Sequence, residues 1–262
     1  MKHFLALMML AFLVTATACV APGGLETPPR PELTVPRASQ PPAVDASPDD
    51  PAWTEAARIA ALSLSTGVPA RKVEPVPTVV KLLWSPTHLY VRFICKDDEP
   101  YAPFEGRDEP HYKGDVVEVF LDPVGDAHQW YEVQVTPTNQ ILDKLFIMSG
   151  EPASGSDLAL TRAANRDLWS CLGYTMSGLE TAARTTNRGW IVDLALPAEA
   201  ITRRMPRQRL EPMRLRMNLL RYEWPQDANG NRPGVFMNWS PVSWGQPHRS
   251  PKAMGFVRLV ED

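Results

Sequence analysis

The sequence predicts an all-β protein that folds as an antiparallel β-sandwich, jelly-roll-like and with long loops. Short apolar segments follow one another along most of the chain, separated by proline, glycine, aspartate or asparagine. Several of these segments alternate apolar and polar residues, which is the period of a β-strand. Helix signals are weak, and the clearest is a single turn at Glu199–Arg204. Many short strands with turns between them are typical of a sandwich or barrel.

Seven segments carry the clearest strand pattern. They are Val79–Trp84, Leu89–Cys95, Val116–Leu121, Trp130–Val135, Trp190–Leu196, Arg214–Arg221 and Gly255–Val260. The first two are joined by the turn residues Ser85–His88, and Pro123 and Pro197 follow two others, because proline cannot donate to a strand ladder. All seven lie in the predicted folded domain, residues 43–262.

Residues 1–18 have the features of a signal peptide. The basic residue Lys2 precedes an apolar run, Phe4–Val14, which is too short to span a bilayer as a helix but fits the core of an export signal. The small residues Ala16 and Ala18 suit a signal peptidase. The sequence therefore predicts an exported protein.

The predicted cut falls directly before Cys19. A cysteine at this position resembles the lipobox of bacterial lipoproteins, in which the thiol takes the lipid, although Ala16 stands where a larger residue is usual. We expect lipidation at Cys19 and a membrane-anchored protein that faces the periplasm or the cell surface. An ordinary secreted protein cut at the same bond is the alternative.

Residues 19–42 are predicted to form a disordered, proline-rich linker. Large apolar residues are few there, so the segment cannot bury enough surface to fold, and it is expected to act as a semi-rigid tether. The prolines of residues 20–48 are Pro22, Pro28, Pro29, Pro31, Pro36, Pro41, Pro42 and Pro48.

Strand parity predicts one sheet face that mixes polar and aromatic side chains. Glu118 points away from Val117 and Val119. The matching faces of two further strands carry Trp130, Glu132 and Gln134, and Arg216 and Asn218. Such a mixture suits a sugar, because rings stack on its apolar faces and polar groups bind its hydroxyls. A solvated outer face is the other interpretation, and alternation alone favours it.

A series of short motifs follows in a characteristic order after residue 48. The motifs are Asp49–Trp53, Leu83–Ser85, His88–Val91, Gly114–Pro123, Trp130–Val133, Gly189–Pro197, Asn238–Pro241, His248–Pro251 and Gly255–Phe256. In this order and spacing they resemble carbohydrate-binding module family 9, a β-sandwich family often attached to glycoside hydrolases. The likeness covers about Val44 to Glu261.

The resemblance implies a site in which two aromatic rings sandwich a sugar and a glutamate binds its hydroxyls. Tyr112 falls at the first ring position, Glu118 matches the glutamate, and His248 lies near the second ring with Trp244 on the same loop. Tyrosine and histidine depart from the tryptophans usual at both positions. The full predicted carbohydrate-binding set is Tyr112, Glu118, Trp130, Glu132, Asn218, Trp239, Trp244 and His248.

The predicted function is non-catalytic binding of a mono-, oligo- or polysaccharide by a monomeric module, in the service of polysaccharide degradation. One alternative is a glycoside hydrolase or its accessory domain, with Glu118 and Glu132 as acid and base. A second alternative is a haem-binding redox domain, for which His128 or Met148 could supply an axial ligand. The net charge of −3 argues against nucleic acid as a partner.

Two further hypotheses concern cysteines and metals. Cys95 and Cys171 remain after lipidation of Cys19, and an even pair in an oxidising compartment predicts a disulfide, although two buried free thiols explain the sequence equally well. Calcium is a candidate cofactor, because carboxylate oxygens are its preferred ligands. Its candidate ligands are Asp115, Asp122 and Asp126.

Overall fold

The computed structural model describes residues 30–65, 74–148, 161–162, 168–242 and 250–261, and it confirms an all-β sandwich of two sheets. Residues 1–18 and Cys19 lie outside the described residues. The short helix α1, Ala198–Thr202, occurs at the predicted helical turn. None of the helices in the described part of the chain has the length and apolar character needed to span a bilayer.

The first sheet contains ten strands among the described residues. In spatial order they are β1 (Glu32–Pro36), β15 (Gly255–Val260), β13 (Met213–Glu223), β6 (Val116–Asp122), β7 (Gln129–Val135), β8 (Ile141–Met148), β10 (Leu168–Cys171) and β9 (Thr161–Arg162), with β14 (Val235–Asn238) on β13 and β3 (Ser63–Leu64) on β14. Pairing is antiparallel except between β1 and β15.

The second sheet contains five strands within the same ranges. In spatial order they are β11 (Glu180–Thr186), β12 (Gly189–Pro197), β5 (His88–Lys96), β4 (Thr78–Trp84) and β2 (Ala57–Ile59). All seven strands predicted from the sequence are present, with ends that differ by at most two residues. Short apolar segments bounded by turn residues, several of them alternating, therefore located the central strands of both sheets.

The main core lies between the sheets and combines apolar side chains from both. Val119 and Leu219 contribute from the first sheet, and Phe93 and Val192 contribute from the second. Trp84 is fully buried there, and its Nε1 donates to the main-chain oxygen of Val260 over 2.8 Å. Buried tryptophans usually bond their N–H in this way, so the ring fills space without leaving an unpaired donor.

The outer face of the second sheet is covered by the chain that precedes β2. Arg92 on β5 makes two hydrogen bonds to Asp193 on β12, of 2.6 and 2.8 Å. The ring of Trp53 lies 4.7 Å from the Arg92 guanidinium carbon, and the main-chain N–H of Ala46 donates to Asp193. These contacts hold residues 38–56 against the sheet and satisfy the buried charges beneath them.

The predicted linker boundary at residue 42 is wrong, because residues 32–36 form β1. This strand pairs in parallel with β15, from Glu32 beside Phe256 to Pro36 beside Val260. Its next residue bridges to Trp84 on β4 of the second sheet, so the segment joins the two sheets along one side. Prolines are tolerated here because an edge strand needs fewer ladder donors.

The predicted disulfide is also wrong, since Cys95 and Cys171 are both free and buried. They lie on β5 and β10, which belong to different sheets, and both side chains pack in the main core. Each thiol therefore acts as a small apolar side chain. Burial raises the pKa of the Cys95 thiol to about 12, which keeps it protonated and unreactive.

Truncation of one side chain tests whether β1 belongs to the folded domain. Val35 is 0% exposed, and Val35→Ala removes buried methyl groups, which should cost about 2 kcal/mol of unfolding free energy. The expected fall in melting temperature is about 4–8 °C. Thr34→Ala, an exposed position on the same strand, is the matched control and should leave melting unchanged. Equal melting of both variants would mean that β1 is dispensable.

Thiol titration tests the two cysteines. Protein lacking Cys19 should carry two free thiols in non-reducing mass spectrometry, because each cysteine is unbonded. A thiol reagent should label neither in the folded state and both in denaturant, since buried thiols are protected. A mass lower by two hydrogens, or rapid labelling of folded protein, would contradict this arrangement.

Candidate functional site

The candidate site lies on the outer face of the first sheet, where β6, β7 and β13 are neighbours. Glu118 on β6 lies between Leu220 on β13 and Gln134 on β7. Glu132, two residues before Gln134 on β7, lies opposite Lys144 on β8. Alternation puts these side chains on the face opposite the main core, as strand parity predicted. We call this group, Glu118, Trp130, Glu132, Gln134 and Lys144, the carboxylate face.

Glu118 is the central feature of the carboxylate face. Its side chain is only 1% exposed, yet neither carboxyl oxygen has a hydrogen-bond partner. Trp130 Nε1 and Gln134 Oε1 are buried and unpartnered as well. Nearly all buried polar groups in proteins are paired, because each one left unpaired costs about 1–3 kcal/mol. Four such atoms on adjacent strands indicate a place for a polar ligand.

The electrostatics of the carboxylate face favour a proton on Glu118. Burial raises the pKa of this carboxyl well above its ordinary value, and the charge of Glu132 raises it further, while Lys144 opposes the change. Burial also raises the pKa of Glu132, against the influence of Lys144 and of a hydrogen bond from Gln134. Burial and the same two carboxylates raise the pKa of Tyr222.

Trp130, predicted as a sugar-binding ring, is enclosed in an apolar cluster on this face. It stacks on Phe146 with ring centroids 5.5 Å apart and planes 12° from parallel. Phe120, Leu220 and Met254 complete the cluster. The indole ring is therefore part of the packing, and its unpartnered N–H is the group that remains for a ligand.

Tyr112 and three rings that the sequence analysis missed form an aromatic rim, which we define as Tyr112, Tyr222, Trp224 and Phe236. Tyr112 is 41% exposed, and its main-chain oxygen accepts a bond from Trp224 Nε1. Phe236 meets Trp224 and Tyr222 edge-on, at centroid distances of 5.8 and 4.7 Å. Tyr222 lies beside Val116 on β6 and so connects the rim to the carboxylate face.

Close packing at Gly234 holds two of these rings. A Cβ atom there would lie 2.6 Å from Phe236 Cζ and 3.2 Å from Trp224 Cη2, so a larger residue would displace them. Tyr222 and Trp224 stand two residues apart at the end of β13, and that spacing was the available signal in the sequence.

Asn218 and Trp239 make contacts that hold the chain after β14. The Asn218 amide donates to the main-chain oxygen of Ser240 over 3.0 Å and accepts from its N–H over 2.9 Å. Trp239 packs against the main core. These bonds give Asn218 a structural role, and its contact with sugar stays a prediction. Trp244 and His248 lie outside the described residues.

The structure does not bring the three predicted calcium ligands together. Asp115 precedes β6 and Asp122 ends it, which separates them by about 23 Å at the rise of a strand. Asp122 accepts the N–H groups of Gly125 and Ala127, and Asp126 pairs with an arginine. The prediction of a shared site is wrong, because Asp115 and Asp122 lie at opposite ends of β6.

Asp115 instead joins a cluster of three carboxylates between the two sheets. Oxygens of Asp97, Asp115 and Glu223 lie within 4.8 Å of one another. Arg221 bonds Glu223 at 2.5 Å and lies 3.8 Å from Asp97. Both oxygens of Asp115 accept main-chain N–H groups, those of Tyr101 and Trp224. One guanidinium and these donors hold the cluster together.

Burial dominates the electrostatics of this cluster. It raises the pKa of Glu223 to about 8, reinforced by Asp115 and Asp97 and opposed by Arg221. It raises the pKa of Asp115 to about 6, against its two backbone hydrogen bonds. Glu223 also lines a cavity of about 420 Å³ with the exposed Glu99. The folded protein therefore holds a proton at this position near neutral pH.

The residues of the alternative functions are placed as follows. Glu132, one half of the proposed catalytic pair, accepts a 2.5 Å hydrogen bond from Gln134 Nε2, whereas Glu118 accepts none. His128 is exposed, and Met148 packs against the apolar cluster around Trp130.

Comparison with known proteins identifies the family of this fold and site. The family model described as carbohydrate family 9 binding domain-like matches residues 44–262. The chain therefore belongs to this family, as the motifs predicted. β1 lies before the matched range, so this strand of the first sheet is not covered by the family model. No curated protein matches the chain.

Solved structures show the same fold at low sequence identity. A family 9 carbohydrate-binding module from Caldicellulosiruptor kristjanssonii in complex with cellotriose has a TM-score of 0.58 and 14% identity, covering 88% of this chain and 95% of its own. The module in complex with glucose has a TM-score of 0.57 and 14% identity, covering 88% and 97%. A Bacteroides uniformis protein has a TM-score of 0.62 and 14% identity, covering 88% and 100%.

The pH dependence of unfolding tests the carboxylate cluster. A raised pKa in the folded state means that Glu223 favours stability at low pH and that this contribution is lost as pH rises through about 8. Between about pH 5 and about pH 8, the melting temperature of the parent should therefore fall further than that of Glu223→Gln. Glu99→Gln, at the same cavity, is the control and should follow the parent. Parallel curves for parent and Glu223→Gln would contradict the assignment.

Proposed function

We propose that this protein binds carbohydrate without cleaving it, through the carboxylate face and the aromatic rim. The observation that carries the proposal is Glu118, a buried carboxyl whose two oxygens have no partner. Sugar hydroxyls can donate to such oxygens and accept from an indole N–H at the same time. A ligand of this kind would satisfy the unpaired atoms of Glu118, Trp130 and Gln134 together.

The family and its solved members support the same function. The chain belongs to a carbohydrate-binding family, and two structures of similar fold hold cellotriose and glucose. Tyr112 is the most exposed ring of the aromatic rim, and the partly exposed Trp224 donates to its main-chain oxygen. Aromatic faces stack on the apolar side of a sugar ring, so we assign the aromatic rim to this contact.

The cellular setting is part of the proposal. The leader before Cys19 and the cysteine itself support an exported lipoprotein anchored in a membrane and facing the periplasm or the cell surface. Only about a dozen residues separate Cys19 from β1, so such an anchor would keep the domain close to the membrane. We propose that the protein acts as a monomer and serves polysaccharide degradation by holding glycans near the cell.

Replacement of Glu118 by an apolar residue separates a binding role from a structural one. Glu118→Met removes an unpaired buried carboxyl, so the melting temperature should stay the same or rise. Cellotriose affinity, measured by calorimetry, should fall by about tenfold or more, because the hydrogen bonds to hydroxyls are lost. Tyr112→Ala should weaken binding by about fivefold through lost stacking.

The matched control is Val124→Ala, an exposed apolar position in the loop after β6, which should keep both affinity and melting temperature. If Glu118→Met lowers the melting temperature and leaves affinity intact, Glu118 is a structural carboxyl. If the parent binds no member of a panel of neutral and charged glycans, the proposed function fails.

A further inference from the structure

We propose that the carboxylate face prefers a glycan that carries a protonated amine, such as a glucosamine oligomer, over neutral sugars. This inference rests on the proposed function and names the class of sugar that the site takes. It follows from the charges on the face, from the distribution of hydrogen bonds between its two glutamates, and from its unpaired donors and acceptors.

The charges on the face do not balance. Among the described residues, the charged groups that act on Glu118 are Glu132 on β7 and Lys144 on β8. Arg216 points to the same side of β13, but it lies 3.6 Å from Asp122 and is paired there. Two buried glutamates therefore face one lysine, and that lysine is partly exposed to solvent.

The two glutamates differ in their contacts, because Glu132 accepts a hydrogen bond and Glu118 accepts none. Lys144 is the register neighbour of Glu132, and Gln134 donates to Glu132 over 2.5 Å. Both oxygens of Glu118 remain unpartnered. If Glu118 is ionised, its charge has no close counter-charge among the described groups, and burying such a charge is costly.

An ammonium group matches what is missing. It has three N–H donors and no acceptor, so it can serve both Glu118 oxygens and Gln134 Oε1, and it supplies the absent positive charge. Trp130 Nε1 needs an acceptor, which a neighbouring hydroxyl of the same sugar provides. A bare metal cation would suit the oxygens but would leave the indole N–H unpaired, and a neutral sugar would supply no counter-charge when Glu118 is ionised.

This arrangement makes amine binding depend on pH. Burial and Glu132 raise the pKa of Glu118, which favours a proton on this carboxyl in the free site. An incoming ammonium replaces that proton: the neutral carboxyl and the charged amine become an ion pair, and one proton leaves to solvent. Affinity should therefore rise by up to about tenfold per pH unit while free Glu118 is protonated and the amine stays charged.

The test compares three trimers of equal length: β-1,4-linked glucosamine, N-acetylglucosamine and cellotriose. Calorimetry in two buffers of different ionisation enthalpy should give about tenfold tighter binding of the glucosamine trimer than of the other two, with release of up to one proton. Preference for the amine should increase with pH, and a chelator should change nothing.

Two variants of opposite effect complete the test. Glu118→Gln keeps the shape and removes the charge, so the preference for glucosamine over its N-acetyl form should drop to about one and proton release should stop. Lys144→Gln, at a partly exposed position, removes the competing cation and should increase the preference. Melting curves confirm that each variant is folded.

The outcomes separate the two proposals. Equal affinity for all three trimers, or an amine preference that survives Glu118→Gln, would overturn the inference and leave carbohydrate binding intact. A decreased preference in Lys144→Gln would also overturn it. Binding of none of the trimers, and of no other glycan, would overturn the proposed function as well.

Discussion

The rest of the structure depends on the burial of both faces of its central strands. Every residue of β6 in the first sheet and of β12 in the second is buried, so each of these strands has an inner face in the main core and a covered outer face. A charged side chain on such a strand cannot be solvated by water. It must be paired, lose its charge or await a ligand.

The two sheets meet this constraint in different ways. On the second sheet, Arg92 and Asp193 form a two-bond ion pair beneath Trp53, and the segment that covers them supplies a further donor. On the first sheet, Glu118 has no such partner. The buried charges of the second sheet are therefore paired within the protein, whereas the buried carboxyl of the first sheet has no partner. For this reason we place the ligand at Glu118.

A third buried acidic group lies between the sheets at the Asp115 end of β6. Arg221 on β13 reaches the main-chain oxygens of Pro77 and Lys96 and ties the second sheet to Glu223. A raised pKa is thus shared by a structural carboxyl, Glu223, and a candidate binding carboxyl, Glu118. The two carboxyls differ in their partners: Glu223 is bonded to the guanidinium of Arg221, whereas Glu118 has no hydrogen-bond partner.

The sequence by itself determined the all-β class, the seven predicted strands and the face that carries Glu118, because strand patterns and strand parity depend only on residues near one another in the chain. It could not show that β1 is a strand, since its partner β15 lies at the other end of the chain. Nor could it show that β11 pairs with β12, because an edge strand without a buried residue carries no apolar alternation. Only the tertiary structure decided which polar groups find partners: it engaged Asn218, enclosed Trp130, separated Cys95 from Cys171 and left Glu118 unpaired. Those outcomes depend on contacts between segments distant in sequence, which no local pattern encodes.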